Sequence, residues 1–276
     1  MIETRLETIT PETATEYLSR NAKNRSIRRT DVDTYVREIK RGTFVVTHQG
    51  IAFDEEGNLI DGQHRLMAIA MAGKPVSMMV ARGIDASALS VVDRGASRTM
   101  RDVMCLEEHD GADTAAMMRS TMMLSAMNQM VACAVKKVKL TPAETTTLFE
   151  HFAEPALVAY RAGVNKKSVG RSQVVSAAIA AMHCGVDQEI IEKFFKVFHK
   201  SDIHGCEGYN AQIVLNWRRQ IDNAKLQGMA MNARKIYLGT QAAIYHFANN
   251  TEVTRVVVPN APRYDVTGIL SELLGI

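Results

Sequence analysis

Residues 58–73, NLIDGQHRLMAIAMAG, constrain the fold more than any other stretch, because the hydrophobic period changes within a single turn. Leu59 and Ile60 form a short apolar run of strand type, and Asp61-Gly62 interrupts it. Leu66, Met67, Ile69, Ala70 and Met71 then recur in helical register up to Gly73. Pro75 opens a further apolar run, VSMMVARG, that reads as a strand. The segment is expected to be strand, turn, helix and strand, which is stable only where a sheet and neighbouring helices cover its apolar faces.

The flanking residues supply those partners. Thr10-Pro11-Glu12 has the form of a capped helix start with proline in the first turn, and Ala14, Tyr17 and Leu18 follow at helical spacing. After the polar stretch NAKNRSIRR, Thr30 can cap a second helix, DVDTYVREIKRG, whose buried stripe would be Val32, Tyr35, Val36 and Ile39 and whose stop is Gly42. The runs FVV, GIAFD and GNLID read as strands, and Asp54-Glu55-Glu56-Gly57 as a hairpin turn. A short helix is expected within residues 84–93.

From Arg101 onward the pattern is helical almost throughout. The expected helices are TAAMMRSTMMLSAMNQMVACAV, residues 142–160, 172–183 and 188–198, and residues 210–249 with a break near Gly228. The tail TRVVVPNAP reads as a terminal strand or an extended arm. The expected class is α+β, with a small N-terminal mixed α/β domain over residues 1–100 followed by a mainly α-helical domain over residues 101–276.

Composition sets bounds on function. The chain has 276 residues, 46% hydrophobic and 23% charged, an ordinary globular balance, and its net charge of +3 is too small to imply a nucleic-acid partner by itself. Cys105, Cys133, Cys184 and Cys206 form no CxxC pair, so reduced thiols are expected. His183, His199 and His204 with Cys184 and Cys206 lack short ligand pairs, and no metal site is expected among them. Most of the 16 methionines fall in helical stripes and are expected as adaptable core filling. No signal-type N-terminus and no run of about 18 apolar residues is present, so neither export nor membrane insertion is expected and the chain is placed in a cytoplasm. Walker loop, dinucleotide fingerprint, nucleophile elbow and HExxH are all absent.

The turn Asp61 to Arg65 carries the chemistry. A helix start that follows a strand directs backbone N–H groups and partial positive charge outward, which suits an anion. Gly62 allows close backbone approach, Arg65 can make a bidentate contact to phosphate or carboxylate, and His64 adds a titratable donor. Asp61 has three readings: cap of the helix, a residue that orders Arg65, or part of a divalent-cation site.

This string and its surroundings resemble the ParB/sulfiredoxin-like superfamily over residues 1–100, where an arginine-containing segment, a helix, a strand, a G-x-x-R turn, a helix and another strand follow in that order. The resemblance implies three nucleotide-contacting patches. The first is similar to Asn24-Arg25-Ser26-Ile27-Arg28, with Arg25 and Arg28 as the contacts. The phosphate-cradling G-x-x-R patch of ParB-type CTPases is similar to Gly62, Gln63, His64 and Arg65. The third is similar to Asp93-Arg94-Gly95-Ala96-Ser97-Arg98, with Arg98 as the contact. Gln63 stands where sulfiredoxin has its reactive cysteine, which excludes sulfinic-acid reduction, and where ParB typically has glutamate. An amide cannot serve as a general base, so hydrolysis would fall to Asp61 or His64, or to a metal that activates the water. The longer string LIDGQHRL resembles ParB-like proteins of phages and prophages, which implies the cytoplasm of a bacterium or of a phage-infected cell.

The resemblance implies a nucleoside triphosphate, CTP or ATP with Mg, as ligand, with DNA as partner and room for a homodimer. Clusters at Arg28-Arg29 with Arg37, Lys40 and Arg41, at Lys136-Lys137 with Lys139, at Lys166-Lys167 with Arg171, and at Arg218-Arg219 could track a phosphate backbone, with Trp217 or Tyr209 for stacking. Residues 172–198 could form a helix-turn-helix, or join two helices of any bundle. Three readings follow: a nucleotide-binding protein whose helical domain contacts DNA or a partner, a Mg-dependent phosphotransferase, nucleotidase or nuclease, and an interaction protein without ligand.

Overall fold

A computed structural model describes residues 1–21, 24, 26–85, 100, 112–118, 120–164, 172–229 and 231–276. The chain divides into two compact units, residues 1–97 and 98–276. The class is α+β as expected, and all four strands among the described residues lie in the first unit.

In the first unit the order is β1 (Glu3–Ile9), α1 (Pro11–Ser19), α2 (Arg29–Arg41), β2 (Ile51–Asp54), β3 (Leu59–Asp61), α3 (Gln63–Ala72) and β4 (Val76–Ile84). The sheet order is β1-β4-β2-β3, in which β4 runs antiparallel to β1 and parallel to β2, while β2 and β3 form an antiparallel pair. Alternation places Ile9, Ile51, Phe53, Leu59, Met78 and Val80 in one core with Ala14, Val32, Ile39, Leu66, Ala68 and Ile69 of the three helices. Each large apolar side chain buried there contributes about 1.5–3 kcal/mol. Asp54 closes the hairpin, its Oδ1 accepting from the N–H groups of Glu56 and Asn58 at 3.0 and 2.7 Å.

Local signals read at sequence level recur here. Thr10 caps α1 by accepting from the Thr13 N–H, Pro11 takes the first position, and α2 ends at Gly42. Three details differ from the expectation. β1 was not expected, because as an edge strand it buries only Ile9 fully and shows no apolar alternation. Phe44-Val45-Val46 is no strand, and Val45 and Val46 are exposed. Helix α2 starts at Arg29, two residues earlier than anticipated, with Arg28 as N-cap in place of Thr30.

The described helices of the second unit are α4 (Ala112–Met118), α5 (Thr121–Ala134), α6 (Pro142–His151), α7 (Ala153–Ala159), α8 (Ser172–His183), α9 (Gln188–Lys200), α10 (Ala211–Leu226), α11 (Ala233–Ala248) and α12 (Thr267–Leu274), with a π-helical turn at Tyr160–Val164. The helix anticipated over 142–160 is two, because Pro155 has no N–H to donate back and its ring would clash with the preceding turn. Ser120 likewise starts α5 afresh, accepting from the Met123 N–H at 3.4 Å. Helix α8 is buried from Val174 to Ala181 and is a central helix of the bundle. Met117, Met118, Met123, Met127 and Met130 fill the core around it.

Of the two readings of the tail TRVVVPNAP, the strand is not formed, and the chain runs on without regular structure to α12. Asn210 Nδ2 donates to the carbonyls of Thr251 and Val253 at 2.6 and 3.1 Å, and the buried Gln241 amide accepts from the N–H groups of Arg263 and Tyr264. These bonds hold the chain along the bundle until Val266 and Leu270 enter the core.

Candidate functional site

The β3–α3 turn is built on a backbone that only glycine adopts without strain. Gly62 has φ of +100°, and a Cβ there would lie 3.1 Å from both Cα and Cγ1 of Ile51 and 3.2 Å from the Gly50 carbonyl oxygen. The left-handed residue turns the chain from β3 directly into α3, whose first turn carries no acidic residue and no side-chain cap.

Of the three readings of Asp61, the ordering of Arg65 is seen directly, and Gly62 rather than Asp61 is the N-cap of α3. Its Oδ1 accepts from the Gly62 N–H at 2.6 Å and its Oδ2 from Arg65 Nη2 at 3.2 Å. Asp61 therefore braces the turn and orders Arg65. The arginine side chain is 13% exposed, and among the described residues its buried Nε has no hydrogen-bond partner. A desolvated guanidinium with an unsatisfied donor is costly unless a further acceptor meets it.

The segment ahead of α2 is stitched onto this turn. Asn21 Nδ2 donates to the Gln63 amide oxygen at 3.0 Å, Asn24 Nδ2 donates to the Leu59 carbonyl at 2.6 Å and to Asn21 Oδ1 at 2.7 Å, and the Leu59 N–H donates to the Arg20 carbonyl at 3.0 Å. The Arg28 N–H donates to His64 Nε2 at 3.0 Å. The first and second anticipated patches are thus adjacent, joined through Arg28 and His64, although Gln63 is buried with its amide oxygen turned toward Asn21. Arg25 and Arg98 lie outside the described residues, as does most of the anticipated helix at 84–93.

A second cluster, absent from the sequence reading, joins β1, α1 and β4. Arg82 forms a two-pronged ion pair with Glu7, donates to the Tyr17 hydroxyl at 2.8 Å, and stacks its guanidinium 5.6 Å from the Phe53 ring centre. The Arg82 hydrogen bond holds the Glu7 carboxyl below its ordinary range, and burial raises the Tyr17 hydroxyl. Every group in it is satisfied by another, so the cluster ties β1 and α1 to the sheet.

The helical unit changes several expectations. Trp217 is fully buried and its indole N–H donates to Thr240 Oγ1 at 3.0 Å, so it offers no face to a nucleobase. Tyr209 is already flanked by Phe247 and the Lys193 ammonium. Arg218 donates to the carbonyls of Phe198 and His199 at the end of α9, which is a capping role. Helices α8 and α9 belong to the bundle, and the outer side of α9 carries Glu189 paired with Lys193 at 2.8 Å and Glu192. Lys136, Lys137 and Lys139 are exposed between α5 and α6, while Lys166, Lys167 and Arg171 lie outside the described residues.

Among the described residues no group of three or more His, Cys, Asp or Glu could hold a metal ion, and no helix is long and apolar enough to cross a membrane. Comparison with protein-family models, curated proteins and solved structures finds no match.

Proposed function

We propose that the β3–α3 turn is an anion site that takes the phosphates of a nucleotide, in the manner of ParB-like proteins, and that the helical unit contacts DNA or a protein partner. The observation that carries this reading is Arg65. Its guanidinium is packed at the start of a helix without a side-chain cap, one donor sits on Asp61, and the buried Nε has no acceptor among the described residues. A phosphate oxygen would satisfy that donor and meet the positive end of the helix dipole. Gly62 lets the backbone lie close, and Arg28 sits at the neighbouring helix start. CTP and ATP are the candidate ligands, and the exposed lysines 136, 137 and 139 are the candidate contacts to a DNA backbone.

Calorimetry of the full chain against CTP, ATP and their diphosphates, with and without Mg²⁺, tests the site. Micromolar binding lost in Arg65→Ala supports it, and heats indistinguishable from dilution for every nucleotide would sink it. DNA contact is tested separately by the salt dependence of affinity, which should be steep and should weaken in the Lys136→Ala/Lys137→Ala double variant.

A further inference from the structure

We infer that His64 is a positioning residue whose neutral imidazole clamps the start of α2 onto the β3–α3 turn, and that protonation of the ring releases this clamp. The N-cap of α2 has no side-chain cap of its own, yet its carbonyl begins the helix by accepting from the N–H groups of Asp31 and Val32 at 3.1 and 3.2 Å. The Arg28 N–H, on the other side of the same residue, points at His64 Nε2 at 3.0 Å. An imidazole nitrogen accepts only when it carries no proton, so the bond requires the Nδ1–H tautomer. Protonated His64 has a donor at both nitrogens and repels the Arg28 N–H instead of binding it.

The consequence rests on the anion reading of the turn. Protonation would add a positive charge beside Gly62 and Arg65 while loosening the element that presents Arg28. Among the described residues, the charged groups on the elements that meet at this turn are Asp61 on β3, Arg65 on α3, Arg28, Arg29 and Asp31 at the start of α2, and Arg20 at the end of α1. Arg29 is paired with Asp33 at 3.0 Å and Arg20 with Glu16 at 2.6 Å. Anion affinity should therefore rise as pH falls through the titration of His64, because a cation replaces a neutral ring at the site.

NMR of the full chain tests the clamp directly. The wild-type ring is expected as the Nδ1–H tautomer when neutral. The Arg28 amide, corrected for intrinsic exchange, should exchange roughly two- to tenfold faster once the ring is charged, between about pH 5 and 8. His64→Gln, whose amide oxygen accepts at every pH, should keep Arg28 protected and flatten the profile. Sulfate, whose charge is constant over that range, reports on the anion site: its affinity should rise toward acid in the wild type and stay level in His64→Gln. An Nε2–H tautomer, or Arg28 exchange blind to His64 titration, overturns the clamp even if sulfate binds. A titrating clamp with no sulfate binding at any pH upholds the clamp and overturns the anion reading instead. Both tautomer and exchange are read in the wild type, so a variant that fails to fold does not remove the test.

Discussion

Trp217 and Gly239 meet across α10 and α11 so closely that a Cβ added at position 239 would lie 2.5 Å from the indole Cζ2 and 3.0 Å from Cζ3. The indole cannot retreat easily, because its N–H is held by Thr240 Oγ1 and its whole surface is buried. Gly239→Ala should therefore destabilise the helical unit by about 1–3 kcal/mol despite alanine's better helix propensity. Urea unfolding followed by Trp217 fluorescence measures it directly, and an unchanged midpoint would refute the contact.

At the turn, Gly62→Ala places a side chain at φ of +100° and against the Ile51 backbone. The strain should cost about 1–3 kcal/mol and shift the start of α3, so nucleotide binding should fall along with the stability of the first unit. Gly57→Ala, also at positive φ but with open space around its Cβ, is the control: it should lose some stability and leave binding intact.

Arg65→Lys keeps the charge and removes the fork. A lysine ammonium cannot brace Asp61 and meet a phosphate from the same planar group, so affinity for nucleotide should drop about tenfold or more. Titration calorimetry of the two proteins side by side would show it, and equal affinities would mean that the guanidinium geometry is unused.

The two units should lose stability in different acid ranges. Burial first, and the neighbouring His151 second, hold His183 below the ordinary imidazole value of 6.5, and burial with Arg263 does the same to His246. Both rings are neutral in either state above about pH 6.5 and contribute nothing there. Below it the unfolded chain takes up protons that the fold refuses, so the helical unit should weaken from near pH 6.5 downward. In the first unit Glu7, held low chiefly by its Arg82 hydrogen bond, contributes stability that is present above its unfolded value of 4.5 and lost as pH falls through its lower folded value. Thermal melts recorded across pH should show the earlier loss in signals from α8 and α11, and His183→Asn with His246→Asn should remove it.

The parts of this fold that could be read in advance are those governed by neighbours in the chain. Thr10 and Pro11 start α1, Gly42 and Gly73 end α2 and α3, Gly228 separates α10 from α11, and the change of period at Asp61-Gly62 marks the turn from β3 into α3. Each is a steric or hydrogen-bonding preference satisfied within a few residues, so sequence alone carries it.

Tertiary structure decided what depends on residues far apart. It paired β1 with β4, although ETRLETI has no burial pattern to show a strand, because an edge strand gains its hydrogen bonds from a partner 67 to 79 positions away in register. It turned Trp217 inward against Gly239, so the indole has no open face for stacking, and it made α8 a central helix of the bundle. At the turn, sequence named Gly62, His64 and Arg65 but left Asp61 with three roles. The bonds from Gly62 and Arg65 show it ordering Arg65, and the Arg28 N–H on His64 joined two segments 36 residues apart. Caps and turns are local equilibria, whereas the choice of partner for a donor such as Arg28 exists only once packing has brought α2 and α3 together.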